Sequence, residues 1–280
     1  MSDDASIFAL LTFPYVRLRT VRANLDDLRT HGRDAGSALV WGMVDGPTDA
    51  REVDLIRRRP GGLALIVILP PGQEGGARPR VDLELGQLRP LGILPFHAAP
   101  DPTDCAQVLR RPPVDLAAEV TDYLQWRGLH LERETLRLVR RILDLSGELR
   151  SISSVARSLY LSRRALGRRL AVQGLPVPSH WLQLGRLIRV AVRLQNSDAT
   201  IASVAFEYGY PDGFSLSNQM ERLTGHRPTE VRRRFGWEWL IEAWLRREAG
   251  TGRFSGITVL RSGAGMVDSA TTTPLRRQTR

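Results

Sequence analysis

The pentapeptide Ile152-Ser153-Ser154-Val155-Ala156 returns as Ile201-Ala202-Ser203-Val204-Ala205, and in both places a short break and a second amphipathic segment built around one Leu follow. Such a repeat restricts the fold, because each copy must bury the same stripe against the same kind of neighbour. In the first copy Ile152, Val155, Ala156 and Leu159 share one helical face, and Leu166 and Leu170 supply the facing stripe after a turn at Tyr160 to Ser162. Ser162 is placed to accept hydrogen bonds from the orphan amides that open the second helix. In the second copy Thr200 predicts an N-cap, Gly209 suits a left-handed turn and Asp212 caps the next helix, while Leu216, Met220 and Leu223 form the return stripe. Residues 178–196 lie between the copies and carry Trp181, Leu184, Leu187, Ile188, Ala191, Val192 and Leu194 at helical spacing. A helix of that length spans ~25–29 Å, so two second helices hung on its ends could reach successive major grooves of duplex DNA, ~34 Å apart.

The charge lies at the same end of the chain. Residues 132–235 carry 18 Arg against 9 acidic residues, residues 1–131 carry 15 against 17, and residues 236–280 carry 7 against 4. All 40 basic residues are Arg, the side chain that grips phosphate in a fork and guanine bidentately. A GC-rich coding sequence produces the same Arg-for-Lys bias, so the distribution of charge weighs more than the choice of residue.

From about Glu132 to Arg234 the chain resembles the DNA-binding domain of the AraC/XylS family of bacterial transcription regulators. The most specific part is Gly209-Tyr210-Pro211-Asp212-Gly213-Phe214-Ser215-Leu216-Ser217-Asn218-Gln219-Met220, continued by Leu223-Thr224-Gly225-His226-Arg227-Pro228 and closed by Val231-Arg232. Upstream, Ala156, Ser162, Leu166, Arg168, Gly174, Pro178, Trp181, Arg186 and Leu194 fall where the family pattern has a like residue. Met220 stands where the family usually has Phe, a core place that a thioether fills. Gly167 interrupts the first recognition helix, where it costs ~1 kcal/mol relative to Ala and leaves one DNA-facing position bare.

The resemblance implies base-contacting positions at Arg164, Gly167, Arg168, Gly213, Phe214, Ser215 and Asn218. On the residues themselves, Arg164 and Arg168 lie away from Leu166 and Leu170 and are the choices for base edges, with Arg163 and Arg169 on phosphate. Asn218 could read adenine, Phe214 could meet a thymine methyl, and Ser215 could bond base or phosphate. Arg186 suits a DNA contact and a structural ion pair equally. Arg232, Arg233 and Arg234 follow the last packed segment, at the level of the DNA backbone.

The N-terminal half has another rhythm. Residues 7–13, 38–44, 63–69 and 91–96 are continuous apolar runs, as expected of strands buried on both faces of a parallel sheet, and residues 21–30 and 49–58 are helix-compatible. Residues 81–88 fit an edge strand or a helix. The predicted class is an α/β domain, a degenerate receiver-like or flavodoxin-like parallel sheet, followed by an all-α domain with two helix-turn-helix motifs on a linker helix. A cupin-type barrel is not expected, for want of short alternating strands and of a metal-spaced His pair.

A working phosphoreceiver needs carboxylates at its strand ends. The first run ends Thr12-Phe13-Pro14-Tyr15 and the third ends Ile68-Leu69-Pro70-Pro71, so only Asp45, in the turn Asp45-Gly46-Pro47, remains as a candidate acceptor. The stretch Pro70 to Gly76 lacks the Lys-Ser/Thr of a P-loop, and no nucleophile elbow, triad or metal-spaced His set is legible. The expectation is therefore a regulator with no catalytic residues, cofactor or metal. The alternatives are a phosphorylation-responsive regulator using Asp45, and an enzyme domain fused to a DNA-binding module.

Residues 1–112 are read as a regulatory or interaction domain, 113–131 as a linker helix, 132–249 as the DNA-binding domain and 250–280 as a disordered tail. The helix from Val114 to Trp126 could close the N-terminal core, the favoured reading, or pair with another subunit; Trp237 to Leu245 predicts an extra C-terminal helix. The lone Cys105, the acidic start and the absence of a run near ~18 apolar residues point to a cytoplasmic protein with no membrane span. Double-stranded DNA is the expected partner, and an activator of this class would also meet RNA polymerase and a second copy of itself.

Overall fold

The computed structural model describes residues 6–43, 49–69, 85–95 and 100–251. Asp45, the Gly-rich stretch from Pro70 to Gly76 and the tail beyond Thr251 lie outside them. The N-terminal part is an α/β layer with β1 (Ser6–Leu11), β2 (Leu18–Ala23), α1 (Leu25–His31), β3 (Ala38–Gly42), α2 (Ala50–Arg57), β4 (Ala64–Ile68), β5 (Gly92–Leu94) and α3 (Pro102–Arg110). The strand order is β2-β1-β3-β4-β5.

The sheet is mixed, which corrects the all-parallel expectation. β3, β4 and β5 run parallel, but β1 is antiparallel to both neighbours, with Phe8 opposite Val21 and Leu10 opposite Leu39. The cause is local. Residues 21–30 are not one helix, because Leu18–Ala23 folds back on β1 as a hairpin and Asn24 starts the helix after it. Asn24 Oδ1 accepts from the amides of Asp26 (2.8 Å) and Asp27 (3.0 Å), and Asp27 returns a carboxylate oxygen to the Asn24 amide (3.1 Å). This reciprocal cap satisfies donors that a continuous helix would not have left open.

Alternation along the buried strands makes two cores. One face sends Phe8, Leu10, Leu39, Trp41, Leu65 and Val67 under Leu28 of α1, Ile56 of α2 and Leu88. The other sends Leu11, Ala38, Val40, Ala64, Ile66 and Ile68 against Cys105 and Leu109 of α3, with Tyr15 and Phe235 completing the layer. Phe235 comes from the far end of the chain, so the sheet has no self-contained second core.

The helical part comprises α4 (Leu116–Trp126), α5 (Arg133–Leu145), α6 (Ile152–Ser158), α7 (Arg163–Val172), α8 (Pro178–Gln195), α9 (Ile201–Glu207), α10 (Gly213–Thr224), α11 (Pro228–Arg233) and α12 (Glu238–Gly250). α4 belongs to this core rather than to the sheet: Leu116, Val120, Tyr123 and Leu124 cluster with Val139 and Ile142 of α5 and with Trp237 and Ile241. That is a different outcome from closure of the N-terminal core. The apolar face of α4 finds its partner on α5, the helix that follows it. The central α8 buries Trp181, Leu184, Leu187, Ile188, Ala191 and Leu194 among its neighbours.

The two parts are joined by buried polar contacts. Tyr15 donates to the Gly36 carbonyl (3.0 Å) and accepts from the Phe235 amide (2.9 Å), stacking on the Phe235 ring at 4.4 Å. Glu242 of α12 accepts from the Tyr123 hydroxyl (2.8 Å) and from Arg127 Nε (2.6 Å), and the same Tyr123 oxygen accepts from the Gly62 amide (2.9 Å). Arg89 pairs with Glu238. Arg59, fully buried, donates to the carbonyls of Ile56, Leu63, Leu88 and Arg89 and lies 4.4 Å over the Trp126 ring. Burial draws its guanidinium down to about 10, still protonated at neutral pH.

Three buried phenols give this assembly an alkaline limit. Burial pushes Tyr15 and Tyr210 up to about 12 from 10.0, and burial with Glu242 alongside raises Tyr123 well above its ordinary value. Each folded pKa exceeds the unfolded one, so the stabilisation is complete below pH ~10 and is lost as the pH climbs through the folded values. Loss of the helical signal in circular dichroism should coincide with ionisation of these buried phenols, followed by tyrosinate absorbance, between pH ~10 and ~12. Ionisation of all five tyrosines with the helical signal intact would contradict it.

Candidate nucleic-acid interface

Each copy of the repeat folds as two helices around a left-handed turn. In the first, Ser151 Oγ caps α6 through the Ser154 amide (3.1 Å), and Ser162 Oγ caps α7 through the Ala165 amide (3.1 Å). In the second, Thr200 Oγ1 takes the Ser203 amide (3.1 Å) and Asp212 Oδ1 takes the Ser215 amide (2.6 Å). That amide, more than any other group, holds the exposed Asp212 carboxyl below its usual range. Each first helix closes alike: the Leu161 amide reaches back to the Ala156 carbonyl (2.9 Å), and the Tyr210 amide to the Ala205 carbonyl (2.8 Å).

The residue before each of these amides must take a positive φ. Gly209 does so at 76° and Tyr160 at 54°. Tyr160 therefore occupies a place that favours glycine, with its ring 97% exposed, and the sequence showed only a turn there. Val155, Ala156, Leu166 and Leu170 in one unit match Val204, Ala205, Leu216 and Met220 in the other, all buried. Met220 is fully inside, as expected of a thioether in place of Phe.

With those stripes inward, α7 turns Arg163, Arg164, Arg168 and Arg169 to solvent, and among the described residues none of them is held by a hydrogen bond or ion pair. Gly167 lies on the same helix, and a Cβ built there meets nothing within 4 Å. On α10, Phe214 is 74% exposed, Asn218 is exposed, and Gly213 and Ser215 are half-buried. Arg222, also exposed on α10, extends this face and was not among the expected residues.

Other arginines of the expected set are placed differently. Arg186 is only 8% exposed: Nη2 donates to the Leu149 carbonyl (3.3 Å), and the guanidinium lies 5.7 Å from the Tyr210 ring. It thus braces the start of the first unit against the turn of the second. Arg232 donates to the carbonyls of Ser197 and Ala199. Arg234 pairs with Glu230 (3.3 Å) and donates to the Ala35 carbonyl of the α/β domain (3.1 Å). Arg233 is exposed, 5.0 Å from the Phe13 ring. The structure thus gathers the α7 and α10 residues on exposed helix faces and sets Arg186, Arg232 and Arg234 within the protein framework.

The network at Arg89, Arg127, Glu238 and Glu242 was not anticipated. Its signal was present, since Glu238 and Glu242 stand one turn apart on the helix Trp237-Glu238-Trp239-Leu240-Ile241-Glu242-Ala243-Trp244-Leu245, where carboxylates on an apolar surface require buried cations.

Gly167 supplies a stability test. Because the added methyl has open space, Gly167→Ala should raise stability by ~0.5–1 kcal/mol through helix propensity. Thermal or urea unfolding measures this, and a destabilised variant would mean that α7 does not present this face to solvent.

Residues 155–234 match the family model for a helix-turn-helix domain. No curated protein matches the chain. Among solved structures, the crystal structure of transcriptional regulator CdpR from Pseudomonas aeruginosa aligns at 23% identity over 61% of this chain and 55% of that one, with a TM-score of 0.33. This chain thus spans little more than half the length of that regulator. No helix among the described residues is long and apolar enough to cross a membrane. With the family match lying over two capped units on a shared central helix, residues 155–234 form an AraC-type helix-turn-helix domain.

Proposed function

We propose that this chain is a DNA-binding transcription regulator that binds a bipartite duplex site, with α7 and α10 in successive major grooves on one side of the DNA. The observation that carries the reading is the contrast among arginines: those of α7 are exposed and unpaired among the described residues, whereas Arg186, Arg189 and Arg232 are committed to protein carbonyls. α8, with 18 residues, sets a spacing of ~27 Å along its axis at 1.5 Å per residue. Arg164 and Arg168 read guanine bidentately and Arg163 and Arg169 hold phosphate, while Asn218 takes adenine and Phe214 packs on a thymine methyl. The two boxes therefore differ in composition, the first G-rich and the second A·T-rich.

The N-terminal α/β domain controls this binding in the cytoplasm without catalysis or phosphoryl transfer. The support is chemical: the ends of the first and third apolar runs, Thr12-Phe13-Pro14 and Ile68-Leu69-Pro70, offer no carboxylate for Mg²⁺. An unchanged mass after incubation with a small phosphodonor is expected. For the DNA site, selection from random duplexes should return two boxes about 10–10.5 bp apart, with affinity falling steeply with salt. Recovery of a single box, or affinity insensitive to salt, would overturn the docking.

A further inference from the structure

The junction of the two domains holds a cleft of about 560 Å³, a size at which proteins bind small organic molecules. Gly86 and Arg89 line it from the α/β domain, Arg111 from the connection after α3, and Glu119, Asp122 and Trp126 from α4. The cleft is separate from the faces of α7 and α10.

Its charged groups differ in how far they are already used. Arg89 is committed, paired with Glu238 and donating to the Glu119 carbonyl (3.3 Å). Glu119 accepts the Val114 amide on one oxygen (2.7 Å), and Asp122 accepts Arg140 on one oxygen (3.1 Å). Each keeps a second oxygen with no hydrogen bond among the described residues. Arg111 is exposed and its guanidinium makes no bond or ion pair among them. Trp126 has Arg59 stacked on its ring and lines the cleft as well. At the mouth, Val114 is 95% exposed, apolar surface that a ligand would cover.

A free cation, two half-used carboxylates and an indole wall define a narrow ligand chemistry. A simple organic anion would meet the two carboxylates, and a simple amine would meet the two guanidiniums. A zwitterion satisfies both sets. We propose that this cleft binds a free amino acid with an apolar side chain, its carboxylate on Arg111, its ammonium on Glu119 and Asp122, and its side chain against Trp126 and Val114. Arg89 carries occupancy onward, since it touches the cleft and Glu238 of α12 together. The binding stands on the cleft alone; its role as the signal rests on the DNA-binding reading above.

Calorimetry on the full chain without DNA tests the site, with leucine, methionine, phenylalanine and tryptophan as probes. At least one should bind saturably, and its decarboxylated amine and its deaminated acid should each bind at least about tenfold more weakly, since each loses one charge-assisted set of bonds. Arg111→Ala should abolish binding. Gly86→Leu should block it with unchanged thermal unfolding, because a Cβ at Gly86 meets nothing within 4 Å and the side chain enters empty space. Binding by none of the four, binding unaffected by both substitutions, or equal binding of the acid or amine alone overturns the site. Binding that leaves DNA affinity unchanged overturns its role as the signal. Failure to bind DNA at all is the failure of the earlier reading and leaves the calorimetric result standing.

Discussion

Replacing Arg168 by Ala should weaken binding at the correct DNA site by ~1–3 kcal/mol, on the order of ten- to a hundredfold, and change binding to random DNA little. The side chain lies one turn beyond Arg164 on α7, exposed, with the buried Leu166 and Leu170 holding the opposite face of the helix inward. Because no carboxylate or carbonyl among the described residues engages it, the substitution removes a ligand contact without orphaning a protein group. Neutralising Arg163 and Arg169 should act differently, weakening specific and random DNA together and flattening the salt slope by ~1 per lost phosphate contact. Competition binding at two salt concentrations separates them. Equal losses on both DNAs for Arg168→Ala would make it a phosphate contact and overturn the proposed docking of α7.

The largest loss of stability is expected at the domain junction. Glu242→Ala should cost ~3–5 kcal/mol, because truncating one partner strands a buried charge. Glu242 is 6% exposed, its oxygens take both Arg127 and the Tyr123 hydroxyl, and Arg127 sits in the same enclosed place. Burial draws the Arg127 pKa down, but Glu242 beside it more than offsets this, and the net shift is upward. The Arg127→Met, Glu242→Leu double variant should recover part of the loss, since an apolar pair replaces the ion pair at little net cost while the Tyr123 hydroxyl loses its acceptor. Urea unfolding of the three proteins measures it. A loss under ~1 kcal/mol for Glu242→Ala would place the pair in the range of solvated ion pairs.

The elements differed in how plainly they could be read. The repeat was legible because both copies must bury the same stripe, and Val155, Ala156, Leu166 and Leu170 pack as their spacing requires. Caps at Ser162, Thr200 and Asp212 were legible because an amide donor at a helix start needs a short polar side chain. The hairpin Ser6–Ala23 was not. Val21 belongs both to a helix-compatible run and to a strand, and pairing with Phe8 decided between them. The capping box Asn24-x-x-Asp27 marked the true helix start within that run.

The sequence by itself determined a tandem helix-turn-helix on a central helix, the location of the basic charge and the α/β character of the first hundred residues, since each follows from local periodicity and composition. Only the tertiary structure decided which arginines are free. Arg168 and Arg186 are alike as residues and both stand on amphipathic helices, but α8 is buried around much of its circumference while α7 is buried on one side. The long-range pairs that join the domains, Tyr15 with Phe235 and Arg127 with Glu242, likewise depend on which surfaces meet, and helical or strand periodicity carries no information about that.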